Sequence, residues 1–202
     1  SAKSVDFFRP ALETSAATSP SKDVGTPDTT SSTNIPAQLL YPESNRLNYM
    51  IWSFGQMAFS LQNDNVELAV TKSGGHLAPV TFTLDGGRQI QPFSIAPWWN
   101  ENTAEGPLLQ VLRGDFFCMP FGANNDLYQG ERYLPHGETA HCPWRHVETI
   151  SKGDKSTLHL QLDGSVQQGK VDKIIEIRQG HSAVYQRHVI SGLSGAMPLG
   201  HH

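Results

Sequence analysis

The sequence predicts an all-β protein, a set of short antiparallel strands folded into a sandwich or barrel, preceded by a disordered N-terminal tail. Three observations predict it. Glycine and proline are abundant, at 18 and 13 of 202 residues, which favours turns over long helices. From about residue 48 onward, apolar and polar side chains alternate over short runs separated by turn signals, the pattern of half-buried strands. Few windows keep a helical period across three turns.

Along the chain, Thr14 to Asn34 reads TSAATSPSKDVGTPDTTSSTN, with Val24 its only large apolar side chain. Such a segment buries too little surface to offset its chain entropy. Residues 1–47 therefore read as a Ser/Thr/Pro tail or linker, of the kind that tethers exported or periplasmic domains. Within it, Val5 to Leu12 (VDFFRPAL) is apolar enough to pack as an arm. Residues 48–202 form the folded domain. Leu39 to Leu61 carries scattered apolar residues and leaves room for a short helix. Val66–Val70 alternates as a strand, and Leu77–Leu84 (LAPVTFTL) follows after Gly74-Gly75. Asp85-Gly86-Gly87 signals a hairpin, with Arg88–Ile95 as the next strand. Leu108–Leu112 and Phe116–Phe121 are short apolar pieces. Thr157–Leu162 alternates, and Val171–Arg178 and Ser182–Ile190 form a pair joined across Gln179-Gly180-His181.

Composition excludes several function classes. Fifteen Lys+Arg stand against 19 Asp+Glu, a formal net charge of −4, so no polybasic surface grips nucleic acid through phosphates. No apolar run approaches the roughly 18 residues of a membrane span. Cys118 and Cys142 form one disulfide or remain two thiols, and no C-x-x-C motif is present.

Four segments carry residues capable of chemistry. In Leu112–Gly122 (LRGDFFCMPFG), Arg113 and Asp115 enter an apolar run. Buried charges need partners, so the two either pair with each other at a strand entrance or face a pocket, where the planar fork of Arg113 would donate to polyol oxygens. In Leu134–Arg145, His136 lies between Pro135 and Gly137, a setting that aims a side chain into a cleft. His136, Glu138 and His141 invite a metal reading, but a strand-borne site wants His-x-His, which places both ligands on one face. No metal site is expected on this ground. Trp98 and Trp99 are adjacent and point to opposite faces of a strand, one to serve the core and one to stack on a ligand. His201 and His202 end the chain, either as a strand cut through or as the remnant of a purification tag. As neighbours on a strand they would also point apart, so at most one faces a given pocket.

Taken in order, SGGHLAPVTF (73–82), LRGDFFCMPFG (112–122), LPHGE (134–138) and HSAVYQRHVISGLSGAMPLGHH (181–202) resemble the galactose mutarotase-like (aldose 1-epimerase) superfamily. The resemblance covers about residues 66–202. It implies an antiparallel β-sandwich that is incomplete at its C-terminus, and a sugar or sugar phosphate as ligand. Two departures bear on the substrate: the polar stretch ANNDLYQGERY between Pro120 and Pro135, and Asp115 where many relatives carry a small residue.

The resemblance also implies a chemistry. Mutarotation opens a hemiacetal ring when a base takes the anomeric proton and an acid protonates the ring oxygen, and the ring then recloses on its other face. Histidine and carboxylate suit the two roles near neutral pH. The implied acid is His201 or His202, with His136 and Arg113 orienting the sugar beside Asp115. Trp98 or Trp99, Phe121 and Trp144 would form an aromatic wall. The family's carboxylate base has no match up to residue 202, and no cofactor is required. The alternative is a carbohydrate-binding sandwich of the same fold without catalysis.

Overall fold

Period-two alternation builds the sheets. In LAPVTFT, KSTLHLQLD and KVDKIIEIR, alternate side chains are buried, while VELAVT is buried on both faces apart from Glu67. The computed structural model describes residues 49–102 and 106–202, together with the backbone of 3–10. The expected tail segment 14–34, and 39–48 of the expected helix, lie outside the described residues.

The strands are β1 (Lys3–Pro10), β2 (Met50–Ser53), β3 (Gln56–Gln62), β4 (Val66–Thr71), β5 (Leu77–Thr83) and β6 (Gln89–Ile90), followed by β7 (Phe117–Cys118), β8 (Arg145–Lys152), β9 (Lys155–Asp163), β10 (Lys170–Arg178), β11 (Ala183–Ser191) and β12 (Gly200–His201). One sheet has the order β1-β11-β10-β9-β8, the second β2-β3-β4-β5-β6, and β7 pairs with β12 in a small ladder. All the pairs in these sheets are antiparallel. Leu158, Leu160, Leu162, Val171, Ile175, Ile177 and Val184 of the first sheet pack against Phe59, Leu61, Val66, Leu68, Val70, Val80 and Phe82 of the second. The fold is thus an antiparallel β-sandwich whose core lies between the sheets.

Several local expectations change. Over 50–61 the chain forms β2 and β3 rather than a helix. Phe54 and Gly55 both take positive φ, 45° and 73°, and turn the chain in a two-residue hairpin. Leu108–Leu112 lies largely in a one-turn helix, α1 (Pro107–Val111), with proline in its first turn. Arg88–Ile95 shortens to β6. Lys3–Pro10, inside the expected tail, pairs with β11 from Lys3↔Ile190 to Pro10↔Ala183. Cys118 and Cys142 are both free thiols, and burial pushes the Cys118 thiol up to about 12.

The segment 113–119 organises the open end of the sandwich. It bridges Ile95 at Arg113, Leu77 at Asp115 and Gly137 at Met119. It pairs with β12 through His201↔Phe117 and Gly200↔Cys118, and Phe116 and His202 exchange backbone hydrogen bonds at 3.4 and 3.1 Å. Phe117 and Met119 join the core between the sheets, whereas Phe116 and Cys118 pack with Ala140 in a separate cluster. Successive side chains of this segment therefore serve different clusters.

Candidate functional site

One cluster centres on Phe116. His76 stacks on one side of it, with centroids 4.2 Å apart and planes 10° apart, and His202 stacks at 5.1 Å and 14°. His136 meets Phe116 edge to face at 6.1 Å, Phe121 at 5.6 Å and His202 at 5.0 Å. His76 is fully buried and its Nε2 donates to the Ala140 carbonyl at 3.1 Å. Burial, the largest influence, lowers its pKa to about 3, so it is a neutral floor to the cluster. His136 is half-buried, while Phe121 and His202 are exposed. Burial first, then the nearby His202 and His141, lowers the pKa of His136, which keeps its ring neutral at physiological pH.

The local sequence explains how His136 reaches this position. Its φ is +61°, the left-handed region that few non-glycine residues adopt and that concentrates at functional sites. Its backbone N–H donates to Gly122 at 2.7 Å, and Gly137 N–H donates to Leu134 at 2.8 Å. Gly137 has φ +77°, and a Cβ there would lie 1.9 Å from the Met119 carbonyl oxygen. Only glycine allows this close approach, and the approach sets the turn that presents His136. Asn124 Nδ2 fastens the polar stretch by donating to the carbonyls of Pro120 at 3.2 Å and Leu134 at 2.7 Å. On the far side, Gly200 leaves room for Phe121, whose Cδ2 would lie 2.7 Å from an added Cβ.

A second cluster lies on the core side of the same segment. Asp115 is buried, and its Oδ2 accepts from His201 Nδ1 at 2.8 Å and Gln186 Nε2 at 2.7 Å. Burial works to raise the Asp115 carboxyl, but the His201 hydrogen bond and the charges of His201 and Lys173 outweigh it and hold it below its ordinary value. With Nδ1–H given to the carboxylate, the lone pair of a neutral His201 ring lies on Nε2. His188 stacks on Phe117 at 4.1 Å and lies 5.3 Å from His201. It is fully buried, and neither ring nitrogen has a hydrogen-bond partner. Burial drives its pKa well below the usual value. Lys173, its cross-strand neighbour, donates to Gly75 at 2.8 Å.

The structure thus brings His136, His202 and Phe121 together and puts Asp115 and His201 elsewhere. His201 and His202 do point apart, as neighbours on a strand should. Arg113 joins neither group. Nε donates to Val111, Nη1 to Ser53 and Nη2 to Phe54, at 3.0, 3.1 and 3.0 Å. Its guanidinium clamps the β2–β3 hairpin and is buried, with its pKa lowered by burial to about 10. The alternative of an Arg113–Asp115 pair does not form either, since each side chain has other partners. Trp98 and Trp99 lie in a turn rather than on a strand: Trp98 donates to Leu109 of α1 at 2.8 Å, and Trp99 meets Phe54 of the hairpin edge to face at 5.4 Å. Trp144 is fully buried in the core and donates to Thr139 at 3.1 Å, so it lines no open wall. Sequence reasoning passed over His76, Gln186 and Lys173 and read His188 as an ordinary strand residue. The Glu138 carboxylate accepts from the backbone N–H groups of Ser165 and Val166 and from the Ser165 hydroxyl. Among the described residues no group of three potential ligands gathers around a metal position, and no helix is long and apolar enough to cross a membrane.

No family model and no curated protein matches the chain. Among solved structures, it is similar to a candidate mutarotase, YeaD, from Salmonella typhimurium, at 16% identity and a TM-score of 0.44, over 66% of this chain and 42% of that one. The chain therefore spans less than half the length of that protein. The likeness is one of chain trace and carries no argument about activity or ligand.

Proposed function

We propose that the Phe116 cluster is the sugar-contacting part of an aldose 1-epimerase-like site. One observation carries this reading: the half-buried His136 and the exposed His202 meet edge to face at 5.0 Å, with the exposed Phe121 ring 5.6 Å from His136. Two imidazoles beside an accessible aromatic ring offer what a pyranose needs. The ring of Phe121 takes the apolar face of the sugar, and the imidazoles reach its oxygens. Neutral His136 can both donate and accept, so it orients hydroxyls. His202 is the group assigned to protonate the ring oxygen, because its exposed ring stands beside His136 and the Phe116 and Phe121 cluster where the sugar would lie. His201 is not assigned this role, since its Nδ1 is engaged by Asp115 in the core. The carboxylate that takes the anomeric proton has no counterpart in the cluster among the described residues.

The test is the optical rotation of freshly dissolved α-D-galactose or α-D-glucose in the presence of the full protein. Faster approach to anomeric equilibrium is expected, with a loss on the order of 10²-fold in His202→Asn, the scale of a general acid. No acceleration over buffer overturns the catalytic reading. Saturable sugar binding without acceleration would leave a carbohydrate-binding sandwich in its place.

A further inference from the structure

We propose that Asp115 and Gln186 are positioning residues for the candidate sugar site, acting through His201 to fix the direction of His202. The proposal rests on the Phe116 cluster being that site. His202 directly follows β12, which pairs through Gly200↔Cys118 and His201↔Phe117; its own backbone exchanges hydrogen bonds with Phe116 at 3.4 and 3.1 Å, and the preceding 193–199 has no regular structure. The ladder fixes the main chain, and a further restraint comes from the core side. There Asp115 Oδ2 receives both His201 Nδ1 at 2.8 Å and Gln186 Nε2 at 2.7 Å, which joins β11, β12 and the 113–119 segment at one buried oxygen. Charge-assisted hydrogen bonds of this kind are short and strong.

Strand geometry transmits that restraint across the ladder. Neighbouring side chains point to opposite faces. Locking the His201 ring inward therefore turns the next ring outward, where His202 stacks on Phe116 at 5.1 Å and meets His136 at 5.0 Å. Phe121, packed close over Gly200, holds the same strand from the outer side. The carboxylate does not touch the sugar in this arrangement. It determines where the acid stands.

The experiment combines histidine NMR with anomerisation kinetics on the full protein, comparing wild type, Asp115→Asn and Gln186→Met. In Asp115→Asn the His202 ring resonances are expected to leave their Phe116-stacked positions, and kcat falls on the order of 10²-fold with KM little changed, the effect of a displaced catalytic group. Gln186→Met shows a smaller change in the same direction, and it decides the matter if Asp115→Asn does not fold. His202 resonances and kcat that stay at wild-type values in folded variants overturn the proposal. The two readings separate cleanly. If wild type fails to accelerate anomerisation while the variants still move His202, the catalytic reading falls and the positioning holds. If wild type is active and the variants match it, the positioning falls alone.

Discussion

Replacing Lys173 with methionine tests the buried charges of the sandwich. Lys173 points inward from β10, fully buried, with its ammonium 2.8 Å from the Gly75 carbonyl and 5.8 Å from the Trp144 ring centroid. Burial, the dominant influence, pushes its pKa down from 10.5 to about 8, against the pull of Asp115 and Cys118. Between those values the unfolded chain binds a proton that the fold does not, so stability rises with pH across the window. At 1.36 kcal/mol per pH unit, the charged side chain costs the fold about 3 kcal/mol below pH 8. Lys173→Met removes that cost and loses the hydrogen bond to Gly75, worth about 1–3 kcal/mol. At pH 7 the variant is thus expected to match the wild type or exceed it by about 1–2 kcal/mol. Urea unfolding from pH 7 to 10 on both proteins measures this directly. The thiol of Cys118, raised to about 12 by burial, contributes an opposite slope above its ordinary value of 9.0; because Lys173 itself lowers that thiol, the difference between the two proteins removes this slope only in part. The wild-type curve should rise relative to the variant by about 3 kcal/mol over the window. Parallel curves, or a variant destabilised by several kcal/mol at pH 7, would refute the reasoning.

Two further substitutions address the framework of the site. Arg113→Lys leaves one ammonium where a fork held the carbonyls of Val111, Ser53 and Phe54, and it should cost about 2–3 kcal/mol in urea unfolding; unchanged stability with weakened sugar binding would return Arg113 to the pocket wall. Gly137→Ala forces a Cβ to within 1.9 Å of the Met119 carbonyl at φ +77°; a lowered Tm and displaced His136 resonances are expected, and a wild-type Tm would contradict the close approach.

The parts of the fold legible in the sequence are those where burial alternates. β5, β9, β10 and β11 each show it, and each stands close to where alternation places it, whereas β4 is buried on both faces apart from Glu67. β8 is an edge strand with nearly every side chain exposed, so it offers no apolar period to read. β2 and β3 carry exposed Ile51, Trp52 and Met57, which blur the pattern into something closer to helical spacing. At the site, the His-Gly turn and the opposite directions of His201 and His202 follow from local rules. The Asp115–His201 and Asp115–Gln186 bonds span 86 and 71 residues of chain, and no local rule reaches that far. Arg113 illustrates a different limit. The residue type announces a buried, satisfied guanidinium, but its partners are main-chain carbonyls, to which side-chain identity gives no clue.

The most direct measurement follows the histidine ring resonances of the full protein as D-galactose is added. The account predicts saturable movement of His136 and His202, with the core rings of His188 and His201 shifting far less. Movement confined to the core histidines or to Trp98 and Trp99, or no movement at all, would contradict a sugar site at the Phe116 cluster.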